Sequence, residues 1–192
     1  MNQRVSREDW IDAALQAIAE GGLEAIGVDA LARRLSVTKG SFYNYFANVD
    51  ELTTSALTRW EELATDGVIR ELDELTDPEE RIKRLFELVC DRVEHLKIES
   101  ALMAAAVAGD DRVRPAYLRV NRRRLTFTRR LYTELGLSDE HADRWALTAY
   151  GSYLGLLQLV ALGASAFRSQ SDLRAHAQHL GRTLVPPRAH AR

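Results

Sequence analysis

The chain has 192 residues, of which 46% are hydrophobic and 28% charged, and its formal net charge is −2. This composition is typical of a folded protein, and the net charge gives no global signature of nucleic-acid binding. Four prolines and 11 glycines favour an all-α fold over a turn-rich β fold. A single cysteine excludes an intramolecular disulfide framework and indicates a reducing, cytoplasmic setting. The polar residues 1–12 predict no signal peptide.

The first predicted helix starts after Ser6, because Ser6 and Asp9 have the spacing of a capping box. It continues to about Glu20 and ends at the glycine pair that follows. Its buried face is predicted to contain Trp10 or Ile11, together with Ala14, Leu15 and Ile18.

Residues 28–46 predict a helix, a tight turn and a second short helix, with the sequence VDALARRLSVTKGSFYNYF. The buried face of the first helix is marked by the spacing of Val28, Leu31, Ala32 and Leu35. Thr38 is placed to cap the second helix with its side-chain oxygen. At about 100° per residue, Phe42 and Phe46 fall on the inner side of that helix.

The outer side of the second helix carries residue types that bind DNA. An amide such as that of Asn44 can bond base edges in the major groove, while hydroxyls and cations hold phosphates. Arg33, Arg34 and Lys39 are the only charged residues between Asp29 and Asp50, so the local field is positive despite the net charge. The candidate DNA contacts are Arg33, Thr38, Lys39, Gly40, Ser41, Tyr43, Asn44 and Tyr45.

The same stretch resembles the TetR family of transcriptional regulators, whose members carry a pattern close to T-V-x-x-I-A-x-x-A-G-V-S-K-G-[ST]-[LF]-Y-x-H-F. Three departures from the family matter: Gly27 replaces the usual Thr cap, Tyr45 replaces a His, and Val49, just after the pattern, replaces a Lys that commonly touches phosphate. Ser36 stands where the family prefers Gly, which predicts a left-handed turn. The resemblance covers about the first third of the chain. It implies a three-helix DNA-binding domain, residues 1–48, and a helical ligand-binding and dimerisation domain, residues 49–192.

Further helices are predicted along the second domain. Asn48 and Glu51 mark the start of a strut helix, and Asp77-Pro78 marks the start of the next one. Residues 112–130 hold eight arginines and no acid. A second nucleic-acid or membrane surface is one interpretation of that run. The favoured one is a helix whose arginines are solvated and pair with acids elsewhere.

Residues 145–167 contain no charged side chain. A transmembrane span is possible by length, but the span contains glycines, serines and Gln158, and no other such span occurs. A helix that is apolar on all sides is otherwise buried against its own core and a second subunit. The family dimerises through its last two helices, so a homodimer is expected, without membrane insertion. The predicted interface residues are Leu156, Leu157, Val160, Leu173 and Leu180.

The resemblance also implies a small-molecule site among the middle helices. Aromatic side chains with one polar group suit an apolar pocket, and each is individually more often a core residue. The candidate effector contacts are Trp60, Phe86, Cys90, Met103, Tyr117, Phe127, Trp145, Tyr150 and Tyr153. Few inward charges are evident, which favours an uncharged or lipophilic effector.

No catalytic motif, phosphate-binding glycine loop or Cys/His cluster occurs, so no enzyme activity, metal or other cofactor is expected. His176 and His179 could hold a metal by their spacing, although an exposed pair is favoured. We therefore expect a dimeric repressor that a small molecule releases from a palindromic operator. A regulator without a ligand, and a helical enzyme or lipid-binding protein with an incidental helix-turn-helix, remain alternatives.

Overall fold

The computed structural model of the chain describes residues 5–91, 93–163, 167 and 169–187, and the side chains of residues 89–94 lie outside the described part. Within these residues the protein is α-helical and has no β-strand, in agreement with the predicted fold class. The helices are α1 (Arg7–Gly21), α2 (Val28–Arg34), α3 (Lys39–Phe42), α4 (Val49–Glu61), α5 (Gly67–Asp73), α6 (Pro78–Asp91), α7 (Val93–Ala108), α8 (Arg114–Glu134), α9 (Asp139–Ala161) and α10 (Gln170–Thr183). A 3-10 turn, Leu23–Ala25, follows α1, and a π-helical turn, Glu62–Asp66, follows α4.

The chain forms two compact units whose boundaries fall inside helical segments. The first unit runs up to Leu63 and includes Lys97–Leu118, and the second contains Ala64–Leu96 and the chain from Arg119 onward. By this criterion α4 belongs to the first unit, whereas the sequence division after residue 48 assigned it to the second domain. The two divisions rest on different criteria, and the sequence-based boundary stays a prediction.

The first unit is built around aromatic side chains from α1 and α3. Trp10 and Phe42 are fully buried, with ring centroids 5.4 Å apart in an edge-to-face arrangement. Phe46 is 2% exposed and stacks on Phe42 at 5.5 Å. The Arg7 guanidinium lies 4.6 Å from the centre of the Phe46 ring. Burial of these rings fixes α3 on α1, since each removes a large apolar area from water.

The starts of α1 and α4 are fixed by side-chain caps, as predicted. Ser6 accepts from the Asp9 amide, and Asp9 accepts in return from the Ser6 amide at 2.7 Å, which completes a capping box. These bonds from Ser6 lower the pKa of the Asp9 carboxyl. Asn48 accepts from the Glu51 amide at 2.9 Å, and Glu51 accepts from the Ala47 amide at 2.8 Å. Two backbone N–H donors that would otherwise be unbonded are therefore satisfied at the start of each of these helices.

In the second unit, α10 packs closely along α6. A β-carbon at Gly181 would lie 3.0 Å from the Lys83 Cα atom and 3.3 Å from its carbonyl oxygen, so only glycine allows this approach. The buried hydroxyl of Tyr132, on α8, donates to the Leu184 carbonyl at 2.9 Å, just after α10 ends. Burial raises the pKa of that phenol. These contacts hold the end of α10 against the core. None of the helices within the described ranges has the length and apolar character that crossing a bilayer requires.

Candidate nucleic-acid interface

The helix pair formed by α2 and α3 is joined by a turn at Ser36, as the sequence predicts. Ser36 has a φ of +58°, in the left-handed region, and it is the one non-glycine residue in that region within the described chain. The turn is closed by a bond from the Val37 amide to the Ala32 carbonyl at 2.9 Å. The left-handed geometry predicted from the family pattern is therefore confirmed.

The predicted second helix is shorter than expected, and its cap differs. Only Lys39–Phe42 is α-helical, and the chain then continues in turns, with the Tyr45 amide bonding the Phe42 carbonyl at 2.9 Å. Thr38 stands at the N-cap, but its side chain accepts no capping bond, so that expectation was wrong. The reason is that the Ser41 amide, the natural donor, bonds the Thr38 carbonyl instead, at 3.0 Å.

The inner and outer sides of this segment agree with the helical spacing. Phe42 and Phe46 point inward and are buried. Tyr43 is 58% exposed, and Gly40 and Asn44 are also exposed. Of the other candidate DNA contacts, Arg33, Thr38 and Lys39 are exposed, whereas Ser41 and Tyr45 are half-buried. An amide, a phenol and a cation thus reach solvent from one short segment that two buried rings hold in place.

Two of these candidates already have protein partners. The Lys39 ammonium lies 3.0 Å from Asp29 Oδ2, and the bond to Asp29 raises the pKa of the Lys39 side chain. The Tyr45 hydroxyl donates to the Val5 carbonyl at 2.5 Å, so its hydrogen is not available to a phosphate oxygen. A phosphate contact by Tyr45 stays a prediction, and it would require this bond to break.

Four arginines of the run 112–130 pair with acids of the protein, three of them on helix α8. Arg129 pairs with Asp139 at 2.8 Å, Arg130 with Asp73 at 2.5 Å, and Arg123 with Asp66 at 2.9 Å. Arg112, just before the helix, pairs with Asp110 at 2.7 Å. These pairs confirm the favoured interpretation of the arginine run.

One arginine of α8 points inward, which the sequence pattern did not predict. The half-buried guanidinium of Arg124 donates to the Ala64 carbonyl at 3.0 Å, to Thr65 Oγ1 at 3.1 Å and to the Tyr153 hydroxyl at 3.5 Å. On the same helix, Asn121 accepts from the Tyr150 hydroxyl at 2.5 Å. A sequence signal existed, because positions 120, 124, 127 and 131 lie on one face of α8, but seven neighbouring arginines concealed it.

The candidate effector residues are distributed over both units. Trp60 and Tyr117, in the first unit, stack with their ring centroids 5.8 Å apart, and Met103 is half-buried in the same unit. In the second unit, Phe86, Phe127, Tyr150 and Tyr153 are buried and Trp145 is half-buried. The side chain of Cys90 lies outside the described part. A groove of about 370 Å³ in the first unit lies between α1 and α4, and none of the nine candidate residues lines it. Their role stays a prediction.

The predicted interface residues on α9 and α10 are mostly covered by their own chain. Leu156, Leu157 and Leu173 are 2%, 0% and 4% exposed, and Val160 and Leu180 are half-buried. The large apolar side chains exposed here are instead Leu147 and Leu159 on α9 and Leu162 just after its end, at 65%, 40% and 70%. Gly151 and Gly155 are exposed on the same helix. A partner subunit would therefore meet these positions before the ones chosen from the sequence.

Comparison with known proteins relates the N-terminal part of the chain to a family of regulators. Residues 11–56 match the model of bacterial regulatory proteins of the tetR family. The transcriptional activator FasR of Mycolicibacterium smegmatis is 31% identical over 89 residues, which make up 46% of this chain and 41% of FasR. The transcriptional repressor KstR of that organism is 40% identical over 57 residues, 30% of this chain and 28% of KstR. The chain thus aligns with less than half the length of either curated relative.

The regulatory protein TetR from Rhodobacter sphaeroides has the same fold over nearly the whole chain. Its TM-score is 0.72 at 22% identity, and the match covers 91% of this chain and 96% of that one. The family match lies on α1 to α4, the segment that forms the buried aromatic cluster and the exposed helix pair. Together these findings confirm the resemblance of the chain to the TetR family of bacterial regulatory proteins, with the match to the family model lying within residues 11–56.

Proposed function

We propose that the protein is a transcriptional regulator that binds operator DNA through α2, the Ser36 turn and α3. The observation that carries this proposal is the exposed set of Lys39, Gly40, Tyr43 and Asn44, held by the buried rings of Phe42 and Phe46. Asn44 would bond base edges, and Lys39 and Tyr43 would contact phosphates. The match of this segment to the family model, and the two curated relatives that are named transcriptional regulators, support the proposal.

We propose a homodimer on a palindromic operator. Two recognition segments (residues 39–46 of each copy), related by a two-fold axis, would enter major grooves about one helical turn apart, so the operator repeats the symmetry of the protein. The exposed leucines and glycines of α9 support a contact between two copies there. Each half-site alone supplies only part of the phosphate contacts, and a monomer would bind weakly.

We propose that an apolar small molecule releases the repressor from DNA. The buried aromatic side chains of the second unit are typical of a site for such a ligand. Binding would favour one of two arrangements of the dimer and change the spacing of its recognition segments. A regulator without a ligand remains the alternative, and a thermal-shift screen of apolar compounds followed by a DNA-release assay separates the two.

The experiment that tests DNA binding compares Asn44→Ala with Lys39→Ala on operators selected from a random library. Asn44→Ala should relax the preference by about 1–3 kcal/mol at one base pair in each half-site. Lys39→Ala should weaken binding to all sequences alike and flatten the salt slope. If wild-type binding does not depend on DNA sequence or on salt, the proposal is wrong, and an enzyme or lipid-binding protein becomes the better interpretation.

A further inference from the structure

The positive charges of the helix pair are largely engaged with acids of the protein itself. Arg34 is tied back to α1 by an ion pair with Glu20 and a weaker contact to Gln16 at 3.4 Å. Lys39, the first residue of α3, is paired with Asp29 of α2. Arg33 makes no ion pair within the described part of the chain. Lys39, the candidate phosphate contact with a positive charge nearest to Asn44 in sequence, is therefore already paired in the free protein.

The pair of Asp29 and Lys39 is close but open to solvent. The ammonium and carboxylate are 3.0 Å apart, while the Lys39 and Asp29 side chains are 53% and 71% exposed. An ion pair this exposed contributes little to folding, typically less than a factor of about five in the equilibrium. A nearby phosphate can therefore replace the carboxylate without unfolding anything. The exposure of the pair thus allows Lys39 to exchange Asp29 for a phosphate.

The exchange of Asp29 for a phosphate as the partner of Lys39 is opposed by the charge of the Asp29 carboxylate. When Lys39 turns to a phosphate, the Asp29 carboxylate loses its partner and lies beside another negative charge. The carboxylate then attracts a cation from solution, which offsets part of the counterion release that drives DNA binding. Asp29 has a separate structural reason to be present, because it lies in the first turn of α2, where Gly27 provides no side-chain cap.

We propose that Asp29 is an affinity-determining residue of the DNA surface, which competes with backbone phosphate for Lys39. This inference rests on the proposed function. It assigns to Asp29 a role opposite to that of the candidate contacts, because it lowers affinity for any DNA in a salt-dependent way. Less of the protein is then bound to non-specific DNA, and binding to the operator depends more on base contacts.

The test is the isosteric change Asp29→Asn, with binding to a labelled random-sequence duplex measured by fluorescence anisotropy. One exposed ion pair usually changes an equilibrium by a factor of about 1.4 to 5. A dimer has two such pairs, so the affinity of Asp29→Asn for DNA should rise by the square of that factor, about 2- to 25-fold at low salt. The slope of log K against log salt between about 50 and 200 mM should steepen by up to about one per subunit.

Asp12→Asn is the matched control, since Asp12 is an exposed aspartate of the same unit that pairs with Arg59 of α4, at 3.8 Å. It makes the same change in net charge away from Lys39 and should leave the affinity within about twofold of the wild type. Most of the effect of Asp29→Asn should also disappear in the Lys39→Gln background, because coupled residues are not additive. Melting curves of all variants report whether α2 stays folded.

Three results would overturn the inference. Weaker binding by Asp29→Asn would mean that Asp29 positions Lys39 for DNA. An equal gain in Asp29→Asn and Asp12→Asn would mean that only the total charge matters. A full gain without Lys39 would exclude competition for that side chain. By contrast, a wild-type protein that binds no duplex at any salt concentration refutes the proposed function itself.

Discussion

Replacing Leu159 by arginine tests whether the exposed face of α9 contacts a second copy of the chain. Leu147, Leu159 and Leu162 are 65%, 40% and 70% exposed in the single chain. Complete burial of one leucine contributes about 1.5–3 kcal/mol, so covering these three would contribute about 5–10 kcal/mol to a symmetric dimer. The positively charged arginine would remove part of this apolar contribution to dimer stability. It would cost several kcal/mol more if it were buried without a partner.

We expect Leu159→Arg to weaken the dimer at least a hundredfold, which corresponds to about 2.8 kcal/mol. Sedimentation velocity over a range of concentrations should show monomers whose circular dichroism and melting temperature stay close to those of the wild type. Leu157→Arg is the informative comparison, because Leu157 is fully buried in its own chain. That variant should unfold instead of dissociating as a folded monomer. A Leu159→Arg protein that remains dimeric at the wild-type concentration would refute the assignment of this face.

Three stability predictions follow from single contacts, each measured by thermal or urea unfolding. Ser36→Gly relieves a left-handed φ of +58° and should leave stability unchanged or raise it by up to about 1 kcal/mol. A clear loss would contradict the strain argument. Gly181→Ala would force α10 away from the Lys83 backbone and should cost about 1–3 kcal/mol, whereas Ala175→Gly, on the exposed face of α10, should cost only the helix-propensity difference of about 1 kcal/mol. If Gly181→Ala instead stabilises the protein, the backbone of α6 leaves room there for the added methyl group. Tyr132→Phe leaves the Leu184 carbonyl without its donor and should cost about 1–3 kcal/mol. An unchanged midpoint would show that another donor replaces the phenol.

Local chemistry accounts for the parts of the structure that the sequence predicted well. The capping box of Ser6 and Asp9, the cap at Asn48 and the left-handed Ser36 each depend on residues within a few positions of one another. The inward placement of Phe42 and Phe46 follows from helical spacing alone. Such features are set before tertiary packing, so a sequence argument can reach them.

The sequence did not reveal three features, and one of them depends on contacts between distant segments. Thr38 has the right side chain for a cap, yet the short helix uses its carbonyl instead. Arg124 looks like its solvated neighbours, although it reaches Ala64 and Thr65, about sixty positions away. A π-helical turn at Glu62–Asp66 has no known signature in composition.

Helix α9 shows why the interface was hard to locate. Its apolar residues occur on every side, so periodicity cannot distinguish the face covered by the chain's own core from a face left for a partner. The side chains of Leu156 and Leu157 proved to be covered within the chain, while Leu159 and Leu162 are exposed. Only the packed structure separates these two sets. The assignment of the exposed set to a dimer contact remains a prediction.

The bond between Tyr45 and the Val5 carbonyl has a practical consequence for how the protein is prepared. It holds the start of the described chain beside the end of the recognition segment. Four residues precede Val5 in the sequence, a stretch that spans at most about 14 Å when extended. A purification tag joined to Met1 would therefore begin near the surface that is expected to meet DNA. A histidine-rich tag there would add titratable positive charge and alter the measured salt slopes, so a tag at the opposite end of the chain is preferable.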